Sequence, residues 1–187
     1  MHAQVLAQSF DVTERPEFGR WFRQSKVVDS TGRPLVVYHG TSIEKDRFMR
    51  GGGCAGVCAY FTANQAEASM YAEDDASIDG GTAITMAVYL SLQNPFVTTY
   101  AFDRTNYDRH ADPQAVTEQF RDRLEAEGFD GIHIQNTGEW VAFRPEQIKS
   151  VDNGGAFDPS DPRIAFKRAQ AGDVELDDEE ARCTPRF

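Results

Sequence analysis

The chain has 187 residues, 30 of them Asp or Glu against 19 Lys or Arg, for a formal net charge of −11 at pH 7. That length suits one domain able to bury its own core without disulfides or metal. The charge excludes a protein that wraps nucleic acid or lies on an anionic membrane, since either partner would be repelled.

Residues 173–187 hold six of the acids against Arg182 and Arg186, so the rest of the chain carries a charge near −7. Cys54, Cys58 and Cys183 lack zinc-finger spacing and fit a reducing compartment better than a disulfide framework. Met1-His2-Ala3-Gln4-Val5 offers neither a basic nor an apolar leader, so no signal peptide is read. No run approaches the roughly 18 apolar residues of a membrane span. The expectation is a soluble protein acting in a cytosol.

In chain order, Phe18, Trp21 and Phe22 at helical spacing predict a short amphipathic helix over 14–24. Residues 27–38 read as strand, turn, strand, with Asp29 and Gly32 bracketing the turn. Gly51-Gly52-Gly53 and Gly56 mark a loop, and 58–62 is a further short strand. Asn64 with Glu67 three positions later resembles a capping box opening a helix over 66–72. Residues 82–92 are rich in β-formers and end at Asn94-Pro95, predicting one long strand.

Asp112-Pro113 opens a helix with Val116, Phe120 and Leu124 on one face, closed by Gly128. Ile132-His133-Ile134 and Trp140-Val141-Ala142-Phe143 are strands around the loop 135–138, and 148–151 is one more strand edge. Residues 152–187 read as an irregular, partly disordered tail. Strands outnumber helices and rarely alternate with them, which points to α+β. The division expected is one domain over 1–166 and an acidic tail over 167–187.

Four features could carry chemistry: Tyr38-His39-Gly40-Thr41 at a strand end, Tyr60-Phe61-Thr62, Tyr71, and Glu139-Trp140 opening a strand. Singly, each has a bland reading as a structural histidine, a core tyrosine or a solvated acid. No short-range ligand pair supports a metal held by His39, His133 and Glu139, and the Cys54-x3-Cys58 pair has no histidine nearby in sequence.

In order and spacing, these residues resemble the signature of ADP-ribosyltransferases of the diphtheria-toxin and poly(ADP-ribose) polymerase type. The match is His39-Gly40-Thr41, then Tyr60 and Tyr71 eleven residues apart, then Glu139-Trp140-Val141-Ala142-Phe143. The chain is closer still to the ADP-ribosyltransferase domains of phage polyvalent proteins and related bacterial toxins. Trp21-Phe22, residues 25–29 and 32–41, Gln147-Ile148-Lys149-Ser150, Phe157-Asp158-Pro159 and Pro162-Arg163-Ile164 carry that likeness over about 18–166.

The resemblance implies two small antiparallel sheets forming an NAD cleft with flanking helices. It implies NAD+ as co-substrate, no metal, and transfer of ADP-ribose to a protein acceptor of a host, ubiquitin-like or other, with release of nicotinamide. The role implied is a toxin or effector, delivered by a secretion or phage system. Glu139, His39 and Tyr60 would be catalytic. His39, Gly40, Thr41, Tyr60 and Tyr71 would bind NAD+, the tyrosines sandwiching nicotinamide, Gly40 admitting its carboxamide to the backbone, and His39 and Thr41 bonding ribose hydroxyls.

Two positions depart from the family pattern. Ala68 stands where polymerases carry a carboxamide-binding Ser, and Thr137 stands where arginine-modifying enzymes carry Glu or Gln. An arginine acceptor is therefore disfavoured, and 135–138 would be the acceptor-recognition turn. Two rivals stay open: an NAD glycohydrolase with water as acceptor, and a catalytically inactive binding module.

Overall fold

The computed structural model describes residues 11–50, 59–99, 113–153 and 157–165. The Gly-rich stretch and the acidic run after 166 lie outside them. After a single 3-10 turn at Val12–Glu14, Pro16 opens helix α1 (Pro16–Phe22), shorter than the span read from its periodicity. Proline suits a first helical position because its missing N–H would have no partner there. Phe18, Trp21 and Phe22 are all buried, with the Phe18 ring 5.0 Å from Tyr89 and 5.1 Å from Phe157, both edge to face.

The Asp29 carboxylate accepts from the Thr31 N–H, the Thr31 hydroxyl and the Arg33 N–H, closing the expected turn with Gly32 at φ 84°. The strand expected before the turn shrinks to one bridge, Val28 to Pro34, and the one expected after it begins only at Val37.

The regular elements that follow are β1 (Val37–Thr41), β2 (Ala59–Phe61), α2 (Gln65–Asp79), β3 (Ile84–Leu90), β4 (Phe96–Thr98), α3 (Pro113–Ala126), β5 (Gly131–Ile134), β6 (Glu139–Ala142) and β7 (Ile148–Ser150). They build two sheets, ordered β1-β3-β7 and β2-β6-β5-β4. The α+β class stands, with one difference of detail. β4 pairs with β5 in parallel, so the second sheet is mixed rather than wholly antiparallel.

Alternation along each strand sorts the layers. Val37, Val88, Leu90 and Ile148 of the first sheet meet Ala59, Phe61, Trp140 and Ala142 of the second in the main core. Leu124 of α3 covers the other face of the second sheet over Ile132, Ile134 and Val141. The other face of the first sheet takes α1 at Tyr89 and α2 at Gly40. No helix among the described residues is long and apolar enough to cross a membrane.

Residues 157–165 correct the reading of a loose tail from 152 onward. Phe157 and Ile164 are buried, the Ser150 N–H donates to the Ile164 carbonyl at 2.8 Å, and the Ile164 N–H to that of Asp46 at 2.7 Å. Lys149, fully buried on β7, donates its ammonium to the carbonyls of Asp161 and Arg163. Burial pushes that amine below its usual range, and Asp161, Asp158 and Glu146 offset the effect. Lys149→Met would strand two carbonyls. Thermal or denaturant unfolding should show a loss of about 2–3 kcal/mol, and an unchanged midpoint would show the clamp to be idle.

Candidate active site

A pair of main-chain hydrogen bonds joins β1 to β2 where the two sheets meet. The Tyr38 N–H donates to the Thr62 carbonyl at 2.8 Å, and the Thr62 N–H returns to Tyr38 at 3.0 Å. One residue on, His39 Nδ1 lies 2.9 Å from the Tyr60 carbonyl. A carbonyl only accepts, so Nδ1 carries the proton and Nε2 is left as an acceptor. Rings of Phe48 and Phe61 pack against the imidazole at 4.9 and 5.6 Å. Burial pushes His39 below its usual value despite the bond to Tyr60, which keeps the ring neutral near pH 7.

Backbone groups in a strand point alternately to either side. Tyr38 directs its N–H and C=O away from β3, so Gly40, two residues later on the edge strand β1, directs its own to the same side, where the antiparallel register of the Tyr38–Thr62 bridge sets it opposite Tyr60. Its Cα faces the opposite layer and lies against α2. A Cβ there would sit 2.0 Å from the Ala68 carbonyl oxygen and 2.7 Å from the Ala72 nitrogen. Ala68 and Ala72 are accordingly the buried residues of that helix.

Tyr71, adjacent to Ala72, is 51% exposed. It is therefore no core residue. β2 runs straight into α2, whose Asn64 cap accepts from the Ala66 and Glu67 N–H groups. The expected reciprocal capping box is not formed. Glu67 accepts from the Thr62 hydroxyl at 2.7 Å, and that hydroxyl receives the Asn64 N–H.

The second sheet supplies the carboxylate. Tyr60 pairs with Val141 and Phe61 with Trp140. Glu139, two residues before Val141, thus leaves the sheet on the same face as Tyr60. Such diagonal neighbours lie about 7–8 Å apart at Cα. Glu139 is half-buried, and Oε2 accepts from the Thr137 hydroxyl at 2.7 Å. His133 pairs with Trp140 and stacks on it at 3.8 Å, which puts it on the opposite face from Glu139. Among the described residues no group of three or more His, Cys, Asp or Glu side chains could hold a metal ion.

The β1–β2 bridge, the β2–β6 ladder and the packing of α2 on β1 set His39, Gly40, Tyr60, Tyr71 and Glu139 on adjoining elements along one seam. Tyr60 and Glu139 lie on the face of the second sheet that carries the Leu124 cluster, and His39 packs on the other against Phe48 and Phe61. Thr41 is the exception. It is 3% exposed, and its hydroxyl is shared between the N–H and the carbonyl of Ile43, so this arrangement does not offer it to a ribose. Two surface clefts of about 370 and 410 Å³ lie elsewhere, one lined by Trp21, Arg23 and Arg144, the other by Lys26, Val97 and His133.

A family model described as ADP-Ribosyltransferase in polyvalent proteins matches residues 29–157, a stretch that contains every residue of the seam. No curated protein and no solved structure matches the chain.

Proposed function

The chain belongs to the family of ADP-ribosyltransferases in polyvalent proteins, and from that premise we propose that it transfers ADP-ribose from NAD+ to a protein acceptor and releases nicotinamide. The observation that carries this reading is the edge-strand backbone of Gly40. Its N–H and C=O point away from β3, to the side where Tyr60 stands opposite, on the strand against which α2, the helix that carries Tyr71, packs at Ala68 and Ala72. An N–H beside a C=O on a strand edge is complementary to a carboxamide, which presents one acceptor and one donor.

Tyr71 and Tyr60 would flank the nicotinamide ring. His39 Nε2, held as an acceptor, suits a ribose hydroxyl. Cleavage of the nicotinamide–ribose bond leaves an oxocarbenium-like sugar, and the Glu139 carboxylate stabilises the positive charge as it develops. The acceptor then adds to the sugar carbon and loses its proton. We place the protein as a toxin or effector acting on a host protein, the acidic surface disfavouring nucleic acid as acceptor.

Labelled NAD+ supplied to the protein with a cell lysate tests the reading. Release of nicotinamide together with label on protein supports it. Free ADP-ribose as sole product would make the protein a glycohydrolase, and no nicotinamide release would remove the reading.

Tyr71 gives a sharper check. Stacking on an aromatic side chain contributes roughly 1–3 kcal/mol per base in nucleic-acid complexes. Tyr71→Ala should therefore weaken NAD+ binding by about tenfold, as read by calorimetry. Its half-exposed ring predicts an almost unchanged Tm in the same variant. A fall in Tm with intact binding would return Tyr71 to a purely structural role.

A further inference from the structure

Residue 137 stands in the turn where a contact to the acceptor would be sought, but its side chain is turned back toward the carboxylate two residues on. Thr137 Oγ1 lies 2.7 Å from Glu139 Oε2. A carboxylate only accepts, so the single hydroxyl proton of Thr137 is committed to Glu139.

The turn that places this hydroxyl is fixed at both ends. The Gln135 N–H donates to the Thr98 carbonyl on β4 at 2.8 Å, and the Gly138 N–H closes back on Ile134 at 2.8 Å. Gly138 adopts φ 73°, a left-handed conformation that lets the chain reverse between Thr137 and Glu139. Among the described residues, Glu139 Oε1 makes no hydrogen bond.

We propose that Thr137 is a positioning residue: its hydroxyl pins Oε2 so that Oε1 is held ready for the ribose, and it is not an acceptor-recognition group. This rests on the reading of Glu139 as the carboxylate facing the sugar cation. A glutamate with both oxygens loose would have to freeze its side-chain torsions during the reaction, whereas the Thr137 bond has ordered them beforehand. The benefit belongs to the transition state, so it falls on kcat rather than on NAD+ affinity.

The test is nicotinamide release with water as the only acceptor, measured against NAD+ concentration for the full chain and for Thr137→Val and Thr137→Ser. The same substitutions are made in a Glu139→Gln background. Thr137→Val should lower kcat about tenfold with KM within about twofold, and Thr137→Ser should recover most of the loss. In the Glu139→Gln background, Thr137→Val should change the residual rate less than about twofold, because two groups acting as a unit are not additive. Thr137 is exposed, so all variants should keep the parent Tm.

An unchanged kcat in Thr137→Val, an equal fold-loss in both backgrounds, or a defect confined to transfer onto protein would overturn the proposal and leave the functional reading intact. A parent protein that releases no nicotinamide, with water or with a cell lysate as acceptor, would overturn both.

Discussion

Glu139→Gln should lower nicotinamide release by about two orders of magnitude or more while leaving the fold and NAD+ binding nearly as they were. The amide matches the carboxylate in shape and keeps a carbonyl oxygen to receive the Thr137 hydroxyl, so the local hydrogen bond survives. What it lacks is the negative charge. The reaction passes through a sugar bearing positive charge, and a fixed group aimed at developing charge is commonly worth a factor of 10² to 10³ in rate. Steady-state release of nicotinamide and NAD+ affinity, measured on the same preparation, check the two halves. Turnover within about threefold of the parent in a folded Glu139→Gln protein would remove Glu139 from the chemistry.

The second large effect is expected at Gly40. A methyl group there would enter the main chain of α2, 2.0 Å from the Ala68 carbonyl oxygen. The obstacle is backbone on both sides, so no rotamer change relieves it. Gly40→Ala should destabilise the protein by about 3 kcal/mol or more, equivalent to a Tm lowered by roughly 6–12 °C. A glycine required only for close approach of a ligand would behave differently, losing NAD+ affinity with Tm intact. Melting and binding curves on the one variant separate the two causes. A Tm within about 2 °C of the parent would show that α2 does not bear on β1 as closely as described.

The order of His39, Tyr60, Tyr71 and Glu139 was legible as a resemblance to a family signature, each piece being placed by an element with a local signal: a strand end, a β-rich triplet, a capped helix, a strand start. The Asp29 turn was legible for the same reason, since its hydrogen bonds span at most four residues. β4 was not. Three residues after a proline hold too little alternation to read, and Asn94-Pro95 looked like the end of a strand rather than the gap between two.

The packed segment 157–165 was hidden because its partners are remote. Lys149 looks like a surface residue until the carbonyls of Asp161 and Arg163 fold over it. The second role of Gly40 was hidden too, because a helix backbone one layer away leaves no periodic mark on a strand. The orientation of Thr137 depends on a hydroxyl rotor within a turn, which residue type alone does not encode.

The Lys149 clamp also bears on where this module can be cut. The family match begins at residue 29 and ends at 157, but the buried layer ignores both limits. A fragment trimmed to the match would lose Phe18, Trp21 and Phe22 from above Tyr89, and Ile164 from the main core. It would also uncap the Lys149 ammonium within an apolar wall, with no carbonyl left to receive it. A portable piece is therefore expected to include at least the stretch from the first turn at Val12 to Ile164, and a fusion partner or purification handle joined inside those limits replaces part of the core with solvent.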